Sequence, residues 1–369
     1  MSEYTGNAAT PAHRQPPLDA IVLVNLGTPD APNPPALRRY LAEFLSDPRV
    51  IELPRPVRWL LLNLVVLRVR PARSARAYAR VWTAAGSPLR IFSEALVASL
   101  RAAMAARGSR SEVHLAMSYG EPALTRVLED LRARGLSRLL VLPLYPQYSG
   151  STTGAVFDLL ARTLSGWRWV PQFTFVSDYF RAPGYIEALA RSVESHWQAH
   201  GRGERLLLSF HGIPRRYVLA GDPYFCQCQA TARLLRERLG LADGELTISF
   251  QSRVGREVWV QPYTDALLRE WAGAGIRRVQ VLCPGFAVDC LETLDEIAHE
   301  AAESFHAIAG GTLEYIPALN ASADHVDALV ALIESQTAAW SPPPADVGQR
   351  EARAQALVAR EPWLAEGVR

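Results

Sequence analysis

Eight short apolar runs alternate with helix-like stretches along this chain, and that alternation constrains the fold more than any other feature. The runs of the first half are Ala20–Leu26, Val113–Met117, Leu139–Tyr145 and Gln172–Val176. Those of the second half are Leu206–Phe210, Leu246–Phe250, Val279–Leu282 and Leu313–Ile316. Strands that alternate with helices are typical of parallel sheets, because a parallel strand needs a long crossover connection. The pattern predicts an α/β fold with two four-stranded parallel sheets.

The two halves also match in how their strands end. The first strand closes on GTP at 27–29 in one half and on GIP at 212–214 in the other. The third strand runs into Pro146 and Pro284, respectively. We predict a pseudo-duplication into two domains, and ligands of such sheets bind beyond the carboxyl ends of the strands. The crevice between the domains is therefore the predicted active site.

Composition and pattern also suggest where the domains begin and end. Residues 1–17 are polar and proline-bearing and are expected to be disordered, while residues 18–180 form the first domain. Residues 181–322 are expected to form the second domain, and residues 323–340 a closing helix that packs back on the first. A C-terminal tail follows at 341–369, where a serine precedes three prolines.

The charge balance and the basic residues exclude several classes of function. The formal net charge is +2 and no dense basic block is present, which argues against a nucleic-acid partner. The sequence contains no lysine, so all 39 basic residues are arginine. A P-loop lysine, a Schiff-base lysine and a lysine nucleophile are therefore excluded. No apolar run reaches the roughly 20 residues that a membrane span needs, and we expect a cytoplasmic protein.

A histidine stands where the fifth apolar run ends, in "LLLSFHGIPRRY" at 206–217. A histidine that merely caps a strand end is one interpretation. The turn that follows favours another, since Gly212 allows a sharp turn and Pro214 makes it rigid. Such a turn would aim the His211 imidazole at one point in the cleft.

The segment "VDCLETLDEIAHEAAESF" at 288–305 carries acidic residues in steps of three and four. On an α-helix they would share one face, which comprises Asp289, Glu292, Glu296, His299 and Glu303. An ordinary solvated helix face is one interpretation. Like charges stacked with no arginine between them repel, however, unless a proton or a cation relieves them. The alternative is therefore a route for metal ions or protons.

Two further clusters have more than one interpretation. The hydroxyl residues of "SGSTT" at 149–153 either cap the following helix or bind an anionic group at its start. Cys226, Cys228, Cys283 and Cys290 could form a four-thiolate site, but C-x-C is not the usual C-x2-C clamp. Neither a [2Fe–2S] cluster nor a structural zinc ion is expected, and so few cysteines favour a reducing compartment.

Six stretches of the sequence, taken in order, resemble the ferrochelatase family. They are "VLVNLGTPDAP", "GSPL", "LYPQYSGSTTGA", "LLLSFHGIPRRYVLAGDPY", "FQSRVGREVWVQPYTD" and "CPGFAVDCLETLDEI". The resemblance runs from Ile21 to about Asn320, and the last four stretches are highly specific. It implies a lyase that inserts ferrous iron into protoporphyrin IX or a related porphyrin. That reaction forms haem as the last step of its biosynthesis and needs no ATP.

The resemblance also implies a fold and a set of site residues. The fold is two Rossmann-like domains with the porphyrin in the cleft between them. His211 and Glu292 would lie at the metal-insertion face, as catalytic residues and as ligands of the incoming iron. Asp289 and Glu296 would extend an acidic path. The residues that line the porphyrin pocket would be Tyr145, Ser149 and Arg38. Porphyrin and ferrous iron are substrates, and no further cofactor is required.

Two positions depart from the family's pattern, and two other functions stay open. Some relatives carry a histidine where this chain has Cys290, and Ser118 in "MSYGEP" replaces the usual arginine. These departures put a metal role for residue 290 and one pocket charge in question. A chelatase for another metal or tetrapyrrole is one alternative, but it usually presents paired histidines. A non-catalytic porphyrin or haem carrier is the other, and it would need the pocket without the acidic residues.

The segment "RWLLLNLVVLRVRP" at 58–71 leaves little polar surface for a helix. A buried core helix is one interpretation. The resemblance implies instead an apolar lip over the porphyrin cleft, with Trp59, Leu61 and Leu64 in it. The arginines at 58, 68 and 70 would then meet anionic headgroups, so we expect a weak peripheral association with the inner membrane.

Overall fold

The structure, a computed structural model, describes residues 4–5, 18–255, 257–340 and 347–361, and this part of the chain contains two four-stranded sheets. The first sheet has the order β2-β1-β3-β4 and consists of β1 (Leu18–Gly27), β2 (Glu112–Tyr119), β3 (Leu136–Pro143) and β4 (Gln172–Phe175). The second has the order β6-β5-β7-β8 and consists of β5 (Arg205–His211), β6 (Leu246–Gln251), β7 (Arg278–Leu282) and β8 (Thr312–Ile316). Every strand pair in both sheets is parallel.

These strands confirm the predicted α/β class of two parallel four-stranded sheets flanked by helices. Each of the eight predicted apolar runs coincides with or overlaps one strand. The two sheets have the same strand order, as a pseudo-duplication predicts. The central run Ala20–Val24 is fully buried, because helices cover both faces of a parallel sheet and leave no polar side.

Helices connect the strands. The α-helices of the first half are α1 (Pro34–Ser46), α2 (Arg55–Leu61), α3 (Leu67–Val81), α4 (Pro88–Ala106), α5 (Leu124–Ala133) and α6 (Thr153–Ser165). The later ones are α7 (Pro183–His200), α8 (Arg215–Leu219), α9 (Tyr224–Leu239), α10 (Thr264–Gly273), α11 (Ala302–Ala309), α12 (Ala323–Thr337) and α13 (Val347–Arg360). Two π-helices, with wider turns closed by i→i+5 hydrogen bonds, are π1 (Leu62–Val66) and π2 (Glu292–Ala301).

Local sequence explains where several helices begin. Asn33 caps α1, since its side-chain oxygen accepts a hydrogen bond from the Ala36 amide at 3.0 Å. Pro34 follows at the first helical position, where a missing N–H costs nothing. Ser322 caps α12 in the same way, accepting from the His325 amide at 3.4 Å. In these two helices a polar residue therefore caps the first turn.

Helix α12 joins the two halves of the molecule. It packs against α7 and also against α4 and β3 of the first half. At its surface Arg107 of α4 contacts Asp327 at 3.1 Å and Glu334 at 3.4 Å. A helix that packs back on the first half would make contacts of this kind. The predicted domain boundaries stay predictions.

Parts of the predicted termini lie outside the described residues. These are residues 1–3, 6–17, 341–346 and 362–369. Of the predicted N-terminal segment, Thr5 is described, and its amide donates to the Gly166 carbonyl at 2.9 Å. Of the predicted tail, α13 is described as a helix. Among the described residues, no helix is both long enough and apolar enough to cross a membrane.

Candidate active site

His211 is the last residue of β5, and a short turn fixes its ring. Its Nδ1 lies 2.6 Å from the Gly212 carbonyl oxygen, so Nδ1 carries the proton that is donated and Nε2 is left free. The turn needs glycine, because a Cβ at Gly212 would lie 2.9 Å from the Gln251 carbonyl oxygen and 3.1 Å from the Trp259 ring. The predicted rigid turn thus holds the imidazole in one tautomer and orientation.

The surroundings of His211 keep its imidazole neutral. Burial lowers the pKa of His211 below its usual range, and the Arg70 guanidinium lowers it further. The Glu292 carboxylate and the Gly212 carbonyl act in the opposite direction, and their effect is smaller than that of burial. A neutral histidine near pH 7 has a lone pair on Nε2 that is available to a proton or to a metal ion.

Gln251, at the end of β6, ties the second sheet to the start of π2. Its side-chain oxygen accepts from the Ser209 hydroxyl at 2.7 Å. Its amide nitrogen donates to the Glu292 backbone carbonyl at 2.9 Å. Because Gln251 is also the β6 partner of His211 in the sheet, these bonds hold Glu292 beside the histidine. The sequence analysis missed this residue, although it lies directly after a predicted strand.

Glu296 is a mostly buried carboxyl one turn along π2 from Glu292. Burial raises the pKa of Glu296 to about 7, and the charge of Glu292 raises it as well. The Ser252 hydroxyl donates a hydrogen bond to this carboxylate. The charge of Glu292 thus acts on both His211 and Glu296, and Glu296 can change its protonation state near neutrality.

The Asp289 carboxylate is held by hydrogen bonds within the second half of the chain. It is buried, and its Oδ1 accepts from the hydroxyls of Thr293 at 2.9 Å and Tyr315 at 2.6 Å. Its Oδ2 accepts from the Asn320 amide at 2.7 Å, and Asn320 accepts from the Asp289 backbone in return at 2.8 Å. These donors occupy the carboxylate, which anchors the start of π2 to β8 and to the loop that follows it.

The rest of the predicted acidic face is split by the π-helical turns. His299 and Glu303 are exposed and lie 3.7 Å apart, so they form a solvated pair. Beside this face, Arg80 of α3 contacts Asp295 at 2.6 Å and Glu300 at 2.7 Å, two acidic residues that were not assigned to it. The buried Asp295 was missed, since its partner lies far away in the sequence.

Three tyrosines of the first half stand opposite Glu292. Burial raises the pKa values of Tyr40, Tyr78 and Tyr145, and the charge of Glu292 raises each of them further. All three therefore stay protonated and neutral near pH 7. The predicted pocket residue Tyr145 thus lies close enough to Glu292 to feel its charge, as do Tyr40 and Tyr78.

Ser149 makes a contact between the two halves. Its side chain is buried, and its hydroxyl donates to the Asp222 carboxylate at 2.9 Å. The Gly150 amide donates to the same carboxylate oxygen at 2.7 Å. The loop before α6 therefore binds the carboxylate of the chain's own Asp222. This bond occupies the hydroxyl that the resemblance placed in the porphyrin pocket.

The apolar segment after residue 55 is exposed on one side. Trp59 is 59% exposed, Leu61 36% and Leu64 51%, whereas Leu62 is buried. The interpretation as a buried core helix is therefore wrong for the three predicted lip residues. Arg38 is exposed beside this segment, and its guanidinium donates to the Leu67 carbonyl at 2.8 Å.

The four cysteines do not converge. Cys226 is exposed on α9, while Cys228, Cys283 and Cys290 are buried, and none forms a disulfide. Burial raises the pKa values of the three buried thiols, which keeps them protonated. Among the described residues, no group of three or more histidine, cysteine, aspartate and glutamate side chains is arranged to hold a metal ion.

The fold is an α/β fold of the chelatase type. Over 86% of this chain and 96% of its own, the structure titled "SirB from Bacillus subtilis with Fe3+" is similar in fold, with a TM-score of 0.51 and 13% sequence identity. That likeness shows the arrangement of two parallel sheets and nothing finer.

Sequence comparisons define the particular family. The family model described as Ferrochelatase matches residues 18–337. A protein of Nitrosococcus oceani named ferrochelatase is 54% identical over 351 residues, 95% of each chain. One of Marinobacter nauticus with the same name is 52% identical over 332 residues, 90% of each chain. The chain belongs to the ferrochelatase family, the metal chelatases that insert ferrous iron into a porphyrin to form haem.

Proposed function

We propose that this chain inserts ferrous iron into a porphyrin bound between its two sheets, with His211 and Glu292 facing the centre of the ring. One observation carries the assignment. The Gly212 carbonyl holds Nδ1 of a neutral His211, so Nε2 offers its lone pair beside the Glu292 carboxylate. The test is whether the purified protein forms haem from a porphyrin and ferrous iron. The reaction is run without oxygen and monitored by absorbance.

The three groups have distinct tasks in this proposal. The porphyrin must lose two pyrrole protons as the iron enters, and Nε2 of His211 accepts a proton as a general base. The Glu292 carboxylate stabilises the imidazolium, because its charge raises the pKa of His211. Glu296 lies next along π2 and takes the proton or the hydrated ion, since carboxylate oxygens suit a ferrous ion that still holds water.

The proposed role of Glu296 predicts a pH dependence. Burial raises the pKa of Glu296 to about 7, so its carboxyl is protonated below that pH and cannot accept a proton or bind the ion. We expect kcat to rise with pH through about 7. In Glu296→Gln that limb should disappear and leave only a limb at lower pH, where His211 becomes protonated, because burial lowers the pKa of His211. An unchanged limb near pH 7 in the variant would contradict this role.

Of two arginines near the site, one suits a carboxylate side chain of a porphyrin and the other is held by the protein backbone. Arg70 lies close enough to His211 to lower its pKa, and among the described residues no carboxylate pairs with it. Arg38 is exposed, and its guanidinium donates a hydrogen bond to the Leu67 carbonyl. We infer that Arg70 binds a ring carboxylate and that Arg38 supports the start of α3, because a guanidinium binds a carboxylate through two hydrogen bonds.

The exposed apolar lip supports a reversible attachment to a membrane surface. Trp59, Leu61 and Leu64 form its exposed side, and further exposed apolar residues adjoin them, namely Val57, Leu60, Val65 and Val69. The neighbouring arginines at 55 and 68 are exposed, and each would contribute about 1 kcal/mol near an anionic surface. We infer a cytoplasmic enzyme that attaches weakly to anionic membranes. An apolar porphyrin partitions into such membranes, so the attachment brings the enzyme close to its substrate.

This attachment predicts the effect of a double substitution. Leu61→Ser with Leu64→Ser should lower binding to anionic liposomes about ten-fold or more, because each loses the transfer energy of a leucine side chain. The melting temperature should hardly change, since both side chains are exposed already. Sedimentation with liposomes at low and high salt measures the binding, and high salt should release the wild type.

Leu62→Ser is the matched control for that substitution. Leu62 is buried, so this variant should lower the melting temperature while its lip stays intact. A large drop in melting temperature for the double variant, or liposome binding equal to that of the wild type, would contradict the proposed lip.

A further inference from the structure

The loop after β8 contains a residue with a left-handed backbone. Asn320 has a φ of 48°, and among the non-glycine residues of the described chain only Ser252 also has a positive φ. This conformation is unfavourable for a residue with a Cβ, and asparagine tolerates it better than most because its short side chain can form local hydrogen bonds. The backbone at this position therefore restricts which residues can stand there.

Every polar group of Asn320 has a hydrogen-bond partner. Its amide N–H donates to the Ala287 carbonyl at 3.1 Å. Its side-chain nitrogen donates to Oδ2 of Asp289 at 2.7 Å, and its side-chain oxygen accepts from the Asp289 amide at 2.8 Å. Its carbonyl accepts from Nδ1 of His325 on α12 at 2.6 Å. All but the last of these bonds go to the segment directly before π2.

These bonds fix the first turn of π2, where Glu292 lies. The Asp289 carboxylate also accepts from the Thr293 hydroxyl at 2.9 Å, and Thr293 follows Glu292 directly. The Thr293 hydroxyl in turn accepts from the Cys290 amide at 3.0 Å. Residues on both sides of Glu292 are therefore tied to Asn320 through one buried carboxylate.

The pairing of residues 320 and 289 needs an amide on one side and a carboxylate on the other. The Asn320 amide can accept from the Asp289 backbone and donate to its carboxylate at once. Aspartate in place of Asn320 would bring a second carboxylate to a buried position, where like charges repel. Glycine would tolerate the left-handed backbone but would lose both side-chain bonds. Asparagine meets both requirements.

We propose that Asn320 is a positioning residue for iron insertion, which fixes the Glu292 carboxylate relative to His211 by holding the start of π2. Asn320 acts through Asp289 and has no direct contact with the reacting atoms in this proposal. The assignment rests on the proposed role of Glu292, because it names the residue that keeps that carboxylate in place. A displaced carboxylate would stabilise the imidazolium less, so the loss should fall on kcat and not on KM.

Asn320→Gly and Asn320→Asp test the proposal. Each should lower kcat about ten-fold or more, while the KM values for porphyrin and ferrous iron stay within about two-fold, because a small misplacement slows the reaction without weakening binding. In a Glu292→Gln background, Asn320→Gly should lower kcat by less than about two-fold, since the charge that it positions is already gone. An equal loss of kcat in both backgrounds would overturn the proposal, as would a rise in KM with kcat unchanged.

The reversed pair tests the hydrogen bonds themselves. Asn320→Asp combined with Asp289→Asn again places one amide opposite one carboxylate, with the two groups exchanged. This double variant should recover most of the kcat that Asn320→Asp loses alone, because the pairing of donor and acceptor is restored. A double variant as slow as Asn320→Asp would overturn the proposal.

Ser322→Ala is the matched control from the same loop. Ser322 caps α12, so its loss should lower the melting temperature while kcat stays at the wild-type value. If Ser322→Ala lowered kcat as much as Asn320→Gly, a general loosening of the loop would explain both results and the proposal would be wrong. Failure of the proposed function is a separate result, since Glu292→Gln alone would then keep the kcat of the wild type.

Discussion

His211→Ala should lower the rate of iron insertion by roughly 10²–10⁴-fold, the contribution typical of a general base. The variant loses the imidazole of the proposed site, and the Nε2 lone pair beside Glu292 disappears with it. Its melting temperature should change little, because the ring stands at the end of β5 and is only partly buried. Porphyrin affinity, measured by fluorescence quenching, should stay close to that of the wild type.

His299→Ala is the matched control for this substitution. His299 is an exposed histidine on π2 that pairs only with Glu303, so its removal should leave the rate of insertion unchanged. If His211→Ala formed haem nearly as fast as His299→Ala, the imidazole would not be the base, and the assignment of the site would be wrong.

Glu292→Gln should lower kcat about a hundred-fold or more, whereas Glu303→Gln should stay within about two-fold of the wild type. Glu292 acts on His211 and Glu296, and Gln251 holds its backbone beside the sheet. Glu303 is exposed, and surface pairs of that kind contribute little. Steady-state rates at saturating porphyrin, with ferrous iron varied, measure both effects.

The same pair of variants separates an enzyme from a carrier. Glu292→Gln should still bind porphyrin, because glutamine keeps the size of the side chain and removes only its charge. A carrier would show no change in function on this substitution, whereas a chelatase would lose turnover. Equal and small losses in Glu292→Gln and Glu303→Gln would favour an ordinary solvated helix face.

The strands were predictable because their signal is local. A strand buried on both faces is a short apolar run, and the connections impose glycine and proline at its ends. The buried run Ala20–Val24 is an example of the first effect, and Gly212 in the turn after His211 is an example of the second. The location of His211 followed from the same signal, since a parallel sheet places its ligands beyond the carboxyl ends of its strands.

The arrangement of the acidic residues was only partly predictable. A sequence period of three and four indicates an α-helix, but it cannot show that π2 has wider turns. What holds π2 in place comes from distant parts of the chain. Arg80 of α3 forms an ion pair with Asp295, and the side chains of Tyr315 and Asn320 donate hydrogen bonds to Asp289. No local pattern contains those partners, so the acidic face was predicted as continuous although the structure divides it.

The lip shows another limit of the sequence. A run that is apolar on every side has no amphipathic face, so its pattern cannot tell which residues turn toward solvent. In the structure Leu62 and Leu67 pack inward, while Trp59 and Leu64 face outward. That division depends on the contacts of the segment with α1 and α3, which the sequence does not list.

The most direct test of the central claim is a single turnover without oxygen. Wild-type protein and His211→Ala are each loaded with porphyrin and mixed with a stoichiometric amount of ferrous iron, and the absorbance is followed with time. The wild type should lose the free-base porphyrin bands and gain those of haem, while His211→Ala should keep the porphyrin bands unchanged. Haem bands that appear at the same rate in both samples would contradict the assignment of His211 as the group that accepts the pyrrole proton.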